Sequence, residues 1–581
     1  MSENQLITGD SDELLDKKNF PEINTKHSYK KIIIIISAIL VAIAIAAVVI
    51  ILIKRNKDEE KKDGGGKKDE EKYPNIEYNI STIQFPPDII YIGSHYNYQD
   101  QIFLVYKKKN FNNYYFGIAN EEGEILKEIY ELTNTTGMYV DYIQRISSFD
   151  DGKRAFIGGK ILQCTKEFIN CDDAKLYDIE FPEQIKDIPN LNYLYTEPII
   201  SIGGEYIFWS TFDTDMNIFN FVGKLIFKND KYYIEEAVGI SNYFYDLYDK
   251  EKDTYSLPNI LRFGPIKQMI EGGKGLSIGG FLNYGLRKGI YQSLSEDKLT
   301  QLTNFEGYDE TTTLSPDSKL ACVMTTRFSP TTSLEIIGFI PTPYSILASY
   351  LLSMHTFAFY IGRVRNKIDV KGNIGPALVY LEKMKIDKEY KGYNLNTDDN
   401  WNFNGFTSWS PNGKKFMFDE ISKTKERRCQ IVNLKNYIPD KIKIENNFNG
   451  YIPYNRTIEE TLKLHLDFPI NTKVNGKSGY LEINRTQHKC EINYYNYTED
   501  SKTIFNGIYN YETFPEQKYT IFEVNITSSG EKNGYCEYRL WYDNTKIFLY
   551  MIKEKMELQK HLEIVNMKIK KLMLVFMSLN K

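Results

Sequence analysis

The fold is decided by a pattern that occurs twice, as QLTNFEGYDETTTLSPDSKLACVMTTR in residues 301–327 and as DDNWNFNGFTSWSPNGKKFMFDE in residues 398–420. Each copy places a short turn before an apolar strand. Pro suits the second position of a type I turn, and Asp, Asn, Gly and Ser suit the positions around it. The pattern therefore predicts two β-hairpins with the same turn. The turn residues are Ser315, Pro316 and Asp317 in the first copy and Ser410, Pro411, Asn412 and Gly413 in the second.

Looser copies of this pattern occur upstream, with Gly-containing turns near residues 151, 203 and 273. Together with the two clear copies they suggest a period of roughly 40–50 residues with one double gap, which is the size of a four-stranded blade. Throughout residues 73–445, short apolar and aromatic runs alternate with Gly, Asn, Asp and Pro, without long amphipathic helices. We therefore predict an all-β fold, with a β-propeller of about six blades over residues 73–445.

The clearest copy resembles a known repeat family. The pair Leu302 and Thr303, the acid Asp309 and the turn at residues 315–317 are similar to the TolB-type repeat. In that repeat a Leu-Thr pair precedes Ser-Pro-Asp-Gly-Lys and a strand, whereas Ser318 stands here in place of the Gly. Related blades occur in tricorn-protease and dipeptidyl peptidase IV propellers, so the resemblance implies a TolB-like propeller.

A membrane anchor is predicted near the N-terminus. Residues 32–53, IIIIISAILVAIAIAAVVIILI, form a run of 22 uncharged residues with Lys or Arg on both sides. A helix of this length, at 1.5 Å per residue, spans a hydrocarbon layer of about 30 Å. The run is longer than the apolar core of a signal peptide and comes after 31 other residues, so we expect an uncleaved transmembrane helix in the lipid bilayer.

The direction of this anchor is predicted from the residues on its C-terminal side. Lys and Arg number five in residues 17–31 and seven in residues 54–68, so charge alone slightly favours the opposite direction. All six N-glycosylation sequons and all six cysteines nevertheless lie after the anchor, as expected for an extracellular or lumenal ectodomain. We therefore predict a single-pass type II glycoprotein of the plasma membrane or an endomembrane. The sequons are at Asn79, Asn134, Asn455, Asn484, Asn496 and Asn525.

Polar segments flank the anchor. Residues 1–31 lack hydrophobic periodicity and predict a disordered cytosolic tail. Within this tail, Asp10, Leu14 and Leu15 resemble an acidic dileucine sorting signal. Residues 54–72 are charged and interrupted by Gly, which predicts a stalk that holds the ectodomain off the bilayer.

The C-terminal part differs in composition from the predicted propeller. Residues 446–545 contain four of the six sequons and several strand-like runs, which predict a small glycosylated β-domain; the last blades of a larger propeller are the alternative. In residues 546–581, Leu558, Leu562 and Val565 keep helical spacing, as does Ile569. This spacing predicts an amphipathic helical tail.

The cysteines suggest three disulfide bridges. Cys164 and Cys171 flank a turn-like segment, while Cys490 and Cys536 share the distal domain. The remaining pair, Cys322 and Cys429, would then join neighbouring blades. Six cysteines allow other pairings, so this connectivity is a hypothesis.

The sequence does not indicate a catalytic or metal centre. Ser277 matches G-x-S-x-G in residues 275–279, but it lies inside a blade repeat rather than between a strand and a helix, which favours a structural serine. The histidines and cysteines lack zinc-site spacing, and residues 213–217 start a calcium loop without its Gly and Glu. We therefore expect no cofactor or metal. The net charge of -5 also argues against nucleic-acid binding.

These features favour a non-enzymatic membrane glycoprotein whose propeller binds a protein, peptide or glycan partner. One alternative is a propeller enzyme, either degenerate and dipeptidyl peptidase-like or a hydrolase with carboxylates at the central channel. Carboxylates clustered at one mouth of that channel would favour the enzyme. Another alternative is a scaffold for a membrane complex, in which the tail supplies a helix to a partner.

Overall fold

The computed structural model describes residues 73–132, 146–186, 198–212, 218–240, 248–249, 254–256, 264–280, 288–305, 308–328, 374–387, 390–396, 398, 400–422, 424–441, 448–462, 471–486, 489–498, 501–514, 519–543 and 547–558. The predicted tail with Asp10, Leu14 and Leu15, the anchor, the stalk and the sequon at Asn134 lie outside these residues. Within them, no helix is both long enough and apolar enough to span a bilayer. The elements below all belong to one compact unit, Ile76–Lys581.

Strands dominate the described residues. The first thirteen are β1 (Tyr78–Thr82), β2 (Ile89–Tyr96), β3 (Ile102–Lys108), β4 (Tyr114–Ala119), β5 (Ile125–Leu132), β6 (Ile146–Ser148), β7 (Arg154–Ile157), β8 (Lys160–Gln163), β9 (Lys175–Glu180), β10 (Ile199–Ile200), β11 (Tyr206–Phe212), β12 (Ile218–Lys228) and β13 (Lys231–Gly239). The next thirteen are β14 (Tyr248–Asp249), β15 (Thr254–Ser256), β16 (Ile266–Ile270), β17 (Gly275–Gly280), β18 (Lys288–Ser293), β19 (Leu299–Gln301), β20 (Asp309–Leu314), β21 (Leu320–Thr325), β22 (Gly375–Tyr380), β23 (Tyr393–Asn394), β24 (Trp401–Trp409), β25 (Lys415–Ser422) and β26 (Arg427–Leu434). The last seven are β27 (Thr472–Asn475), β28 (Ser478–Arg485), β29 (Lys489–Thr498), β30 (Thr503–Phe514), β31 (Tyr519–Gly530), β32 (Lys532–Asp543) and β33 (Ile547–Leu558). The short helices are α1 (Glu183–Lys186), α2 (Leu381–Ile386) and α3 (Ile458–Leu462).

Twenty-four of the described strands form six groups of four antiparallel strands, the blades, and two neighbouring blades are joined into one eight-stranded sheet by the parallel pairing of β9 with β13. The first strand of each blade contacts the first strand of the next, and the sixth blade contacts the first, so the blades close a ring. This arrangement is a β-propeller, as the repeat pattern predicted. The blades are blade 1 (β2–β5), blade 2 (β6–β9), blade 3 (β10–β13), blade 4 (β16–β19), blade 5 (β20–β23) and blade 6 (β24–β26 with β1).

The ring is closed by a strand from the start of the described residues. Strand β1 pairs antiparallel with β26, from Tyr78 opposite Leu434 to Thr82 opposite Gln430. The ladder continues one step further, because the amide of Ile83 donates to the Cys429 carbonyl at 3.0 Å. Blade 6 therefore combines strands from both ends of the propeller, which ties the first blade to the last.

Apolar side chains fill the space between neighbouring blades. Between blades 2 and 3, Trp209 is fully buried and stacks on Phe221 with ring centroids 5.4 Å apart. Between blades 1 and 2, Phe103 and Phe116 form an edge-on pair at 5.2 Å. Each such ring contributes roughly 1.5–3 kcal/mol by burial, so these inter-blade layers are the main stabilising feature of the ring.

In each of the six blades a tight turn joins the first strand to the second. The two clear repeats have matching geometry: the Ser315 amide donates to the Leu320 carbonyl and the Ser410 amide to the Lys415 carbonyl, each at 2.9 Å. In both, the serine hydroxyl contacts the Asp317 or Asn412 side chain, at 2.6 and 3.0 Å. The two turns thus share one hydrogen-bonded geometry. We call the side of the ring that carries these turns the turn face, and its six turns are at residues 97–100, 149–152, 201–204, 270–273, 315–318 and 410–413.

The C-terminal strands form one sheet of a different kind. Strands β27–β33 succeed each other as an antiparallel meander, and β15 with β14 joins at the β27 edge to make nine strands. A single nine-stranded sheet contradicts the alternative in which these residues are further four-stranded blades. Along β28 and β29, Leu481, Ile483 and Ile492 are buried while Asn484 and Asn493 point to the other, more exposed side. The sheet therefore has one apolar and one polar face.

The predicted helical tail is wrong where the structure describes it. Residues Ile547–Leu558 form β33, which pairs with β32 from Tyr542 opposite Ile547 to Lys532 opposite Leu558. A neighbouring strand of twelve residues offers a full ladder of main-chain hydrogen bonds, which outweighs the weak local preference for a helix. The other residues on which the helical spacing rested, Leu562, Val565 and Ile569, lie outside the described residues.

The disulfide predicted between Cys164 and Cys171 is present, with the Cα atoms 5.9 Å apart. The loop that it closes inserts Phe168 into the apolar layer between blades 1 and 2, where the ring lies 5.3 Å from that of Phe103. Because the bridge restricts the unfolded chain, the double substitution of both cysteines by Ser should lower the free energy of unfolding by about 2–3 kcal/mol. Urea unfolding with and without reductant checks this. Reductant should destabilise the wild type and leave the double variant unchanged, and equal sensitivity of the two would contradict it.

The other two predicted bridges are wrong. Cys322 and Cys429 are free and buried. The Cys429 sulfur points towards blade 1, where it lies 3.4 Å from Ser94 Oγ, so it faces away from blade 5 and Cys322. Burial raises the pKa of both thiols. Cys490 in β29 and Cys536 in β32 are separated by two intervening strands, a backbone distance of at least about 14 Å, which is too far for a disulfide.

Candidate binding site on the turn face

The segment that connects the propeller to the distal sheet along the chain contacts the turn face. We call it the crossing segment, and it comprises residues 435–441 and 448–456. Its first part is held by a residue of the repeat turn. Asp317 Oδ2 accepts a hydrogen bond from Tyr437 Oη at 2.5 Å and another from the Asp440 amide at 3.1 Å. Lys319 pairs with the Asp440 carboxylate at 2.7 Å. The Ser-Pro-Asp turn thus shapes a hairpin and also docks a later part of the chain.

The second part of the crossing segment inserts between blades 3 and 4. Phe448 packs against Tyr206 with ring centroids 5.1 Å apart, and Tyr206 Oη donates to the Asn449 carbonyl at 3.0 Å. Ile452 is fully buried in the layer between the two blades. Gly450 has a φ of +81°, and a Cβ there would lie 2.5 Å from the Tyr206 ring, so this close crossing requires glycine.

A third contact fixes the segment to blade 4. Tyr454 Oη donates to the Ser293 carbonyl and accepts a hydrogen bond from Gln292 Nε2. Gln292 Nε2 also donates to the Ile240 carbonyl at 2.6 Å, and this bond connects β18 to the end of blade 3. Burial raises the pKa of the Tyr454 hydroxyl, so this group stays a neutral donor.

Between the crossing segment and blade 4 lies an open cavity of about 510 Å³. One wall is Tyr291 and the β18–β19 hairpin, which presents Glu296 and Lys298. The opposite wall comes from the crossing segment, in which the Tyr451 side chain is 68% exposed. Cavities of 300–1,000 Å³ commonly hold small molecules or short chains, so this is a candidate binding site.

The hairpin side of the cavity has a fixed local structure. Ser293 Oγ accepts hydrogen bonds from the amides of Ser295 and Glu296 at 3.3 and 3.2 Å. On the crossing segment, Asn449 Oδ1 accepts one from the Tyr451 amide at 3.0 Å. Burial, and then the nearby carboxylate of Glu271, raise the pKa of Tyr291 to about 12. The cavity thus offers hydroxyl groups, charges of both signs and exposed aromatic surface at neutral pH.

The opposite side of the ring carries buried acids. Asp309, Asp419 and Glu420 lie near the ends of their strands that are furthest from the turn face. Asp309 pairs with Arg327 at 2.8 Å, Asp419 accepts from Tyr91 at 2.5 Å, and the remaining acid, Glu420, pairs with Arg428. All three acids are almost inaccessible. Within the described residues these carboxylates therefore do not gather into the open channel-mouth cluster that a hydrolase would need.

Ser277 occupies a structural position. It lies in the middle of β17, is fully buried, and its hydroxyl donates to the Thr312 carbonyl of blade 5 at 2.7 Å. This bond links two blades, as expected for a structural serine. One group with metal-binding atoms occurs among the described residues, made of Cys164, Cys171 and Asp173, but its two sulfur atoms are bonded to each other and cannot act as thiolate ligands. Residues 213–217 lie outside the described part.

The sequons within the described residues have exposed asparagines. Those in strands are on exposed positions of β1, β28, β29 and β31, and Asn455 lies in a turn of the crossing segment. In the distal sheet the register places Glu482, Asn493, Ile508 and Asn525 in one row, two residues along the strands from the row of Asn484. The sequons at Asn484 and Asn525 are thus on the polar face of this sheet. The exposed asparagines are Asn79, Asn455, Asn484, Asn496 and Asn525.

Comparisons with known proteins give low similarity. No family model matches the chain. No curated protein matches it either. The chain aligns with TolB from Acinetobacter baumannii at 13% identity and a TM-score of 0.28, over 60% of this chain and 65% of that one. It aligns with an oligogalacturonate lyase in complex with manganese at 10% identity and a TM-score of 0.33, over 62% and 97%. A prolyl endopeptidase aligns at 10% identity and a TM-score of 0.25, over 80% and 55%. The assignment of a propeller therefore rests on the strand pairing described above.

Proposed function

We propose that this chain is a single-pass type II membrane glycoprotein whose TolB-like propeller binds a protein, peptide or glycan partner at the turn face. The observation that carries the proposal is the cavity between blade 4 and the crossing segment, with the exposed ring of Tyr451 at its edge. Large exposed aromatic side chains beside a pocket are typical of binding surfaces.

A further exposed apolar side chain extends this surface. Ile438, in the first part of the crossing segment, is 84% exposed. Apolar groups at such exposed positions cost stability in water, which a partner would recover by covering them.

Two features support an extracellular or lumenal location for the propeller. The Cys164–Cys171 disulfide persists in oxidising compartments, and five sequon asparagines are exposed and accessible to a glycan. The apolar run at residues 32–53 precedes all of them and has the length of a membrane-spanning helix. A retained anchor at this place makes the propeller an ectodomain.

Protease protection on intact cells and microsomes tests the location. We expect the part of the chain after residue 53 to be cleaved at the cell surface or protected inside vesicles, and to shift in mobility after endoglycosidase treatment. Cleavage of that part on the cytosolic side of intact vesicles, with no mobility shift, would overturn the topology.

Binding is tested separately, with the full chain immobilised through its N-terminus. A library of short peptides and a panel of oligosaccharides, presented in parallel, should give at least one ligand whose binding is lost in Tyr451→Ala. Retention of all binding in that variant would show that the cavity is not the site.

A further inference from the structure

The side chains that line the cavity on the turn face favour one class of ligand over others. This inference rests on the proposed function. The rim of the cavity carries charges of both signs, because the exposed residues Lys274, Lys298 and Glu296 line it. A strongly anionic ligand and a strongly cationic ligand would each meet at least one like charge. The charge pattern therefore favours a neutral ligand.

The walls provide hydroxyl groups beside aromatic surface and the exposed ring of Pro453. Ser295, Thr300 and Tyr451 each present a hydroxyl and are exposed, whereas the aliphatic Leu294 is 4% exposed. Hydroxyl groups act both as donors and as acceptors, as do the hydroxyl groups of a sugar. An apolar peptide side chain would cover these hydroxyl groups without offering them a hydrogen-bond partner.

The ring of Tyr451 supplies the third element of the site. Its backbone is fixed by the hydrogen bond from its amide to Asn449 Oδ1, and Gly450 allows the tight crossing that precedes it. The ring is large, apolar on both sides and 68% exposed. A flat aromatic face of this kind can pack against the C–H face of a sugar ring while its hydroxyl stays in water.

We propose that this cavity binds a neutral saccharide, carried as a glycan by the partner, with Tyr451 stacked on a sugar ring and the hydroxyl groups of Thr300 and Ser295 bonded to its hydroxyls. The volume of about 510 Å³ accommodates a short saccharide. The cavity is open at the rim, so the saccharide can continue into a larger glycan.

Isothermal titration of the full chain with neutral trisaccharides of mannose, galactose and N-acetylglucosamine tests this inference. We expect saturable binding of at least one, weakened at least tenfold in Tyr451→Ala and several-fold in Thr300→Val. Tyr98→Ala is the matched control, because Tyr98 is an exposed tyrosine, at 47%, in the blade 1 turn of the same face. It should bind as the wild type does. Each titration is repeated in the Asn455→Gln background, since a glycan on Asn455 stands four residues from Tyr451.

The outcomes separate the two proposals. Binding of a trisaccharide that depends on Tyr451 supports both. Binding of a short peptide that depends on Tyr451, without any trisaccharide binding, overturns the saccharide and leaves the binding function in place. If neither a peptide nor a saccharide depends on Tyr451, both proposals fail for this cavity.

Discussion

Replacement of Arg327 by Met should lower the free energy of unfolding by about 3–5 kcal/mol, because it leaves the Asp309 carboxylate buried without its partner. The guanidinium forms a two-pronged contact with this carboxylate, with Nη2 at 2.8 Å from Oδ2 and Nε at 3.4 Å from Oδ1. Both side chains have no exposed surface. Without Arg327, water cannot reach the Asp309 carboxylate to solvate it, so the full energetic cost of an unpaired buried ion remains.

The loss of stability caused by the unpaired carboxylate can be distinguished from a loss caused by poorer packing. Arg327 also lies over the Phe305 ring at 5.2 Å and fills space between blades, and Met keeps much of that volume. The double variant Asp309→Leu with Arg327→Met replaces the pair by apolar groups and should recover most of the stability.

A surface pair provides the matched control. Lys319→Met removes the ion pair with Asp440, in which the charged atoms are 2.7 Å apart but the side chains are 50% and 64% exposed. It should cost no more than about 1 kcal/mol. Urea unfolding of the three variants, followed by tryptophan fluorescence, measures the differences. A loss in Arg327→Met no larger than in Lys319→Met would show that the buried pair contributes nothing through its burial.

The turns that decided the fold were predictable because their interactions are local. Ser315 Oγ accepts from the Leu320 amide at 3.0 Å, so a few consecutive residues contain the whole motif. The blade 1 turn has no such signal because it uses another residue for the same purpose. There Asn97 Oδ1 accepts from the Gln99 and Gln101 amides at 2.9 and 2.8 Å, without the Ser-Pro pair.

Other features depend on contacts between distant segments. The pairing of β1 with β26 joins residues about 350 positions apart, and its register is set by closure of the ring rather than by either strand alone. The cavity has the same origin, since Tyr291 and Tyr451 come from different parts of the chain. Sequence reasoning places Tyr451 in the distal domain, and no local pattern marks it as part of a site on blade 4.

The incorrect cysteine pairings have a related cause. Pairing the cysteines that share a predicted domain assumes that all positions in a domain are equally close to one another. In a sheet, distance grows by about 5 Å with each intervening strand, so Cys490 and Cys536 are far apart although they share one sheet. The pairing of Cys164 with Cys171 was predictable because a separation of seven residues across one hairpin loop leaves little freedom.

The seam that closes the ring contains a buried acid that should make stability depend on pH. Asp419 of blade 6 is 3% exposed and accepts a hydrogen bond from Tyr91 Oη of blade 1 at 2.5 Å. Tyr91 Oη also contacts Ser94 Oγ at 2.8 Å. Burial raises the pKa of Asp419 from 3.8 to about 7, although the hydrogen bond from Tyr91 and the charge of Arg427 act in the opposite direction and the charge of Glu420 adds to the rise.

The direction of the change in stability with pH depends on the pKa of Asp419 in the folded chain and in the unfolded chain. Between about pH 4 and pH 7 the folded chain holds a proton on Asp419 that the unfolded chain has released, so this group's contribution to stability falls as the pH rises through that window. Below pH 4 the acid is neutral in both states, and above pH 7 it is charged in both. A difference of about three pKa units corresponds to a loss of about 4 kcal/mol over the window.

Asp419→Asn should therefore equal the wild type in stability near pH 4 and exceed it increasingly up to pH 7, by as much as about 4 kcal/mol, because the amide is never charged. The amide oxygen can still accept the Tyr91 hydrogen bond, so the seam keeps its geometry. Asp88→Asn is the control, since Asp88 is an exposed acid at the start of blade 1 and its replacement removes the same charge without a buried position. Thermal unfolding from pH 4 to pH 8 measures all three chains. Parallel profiles for Asp419→Asn and the wild type would mean that Asp419 is already charged in the folded chain, and that Arg427 and Tyr91 offset its burial.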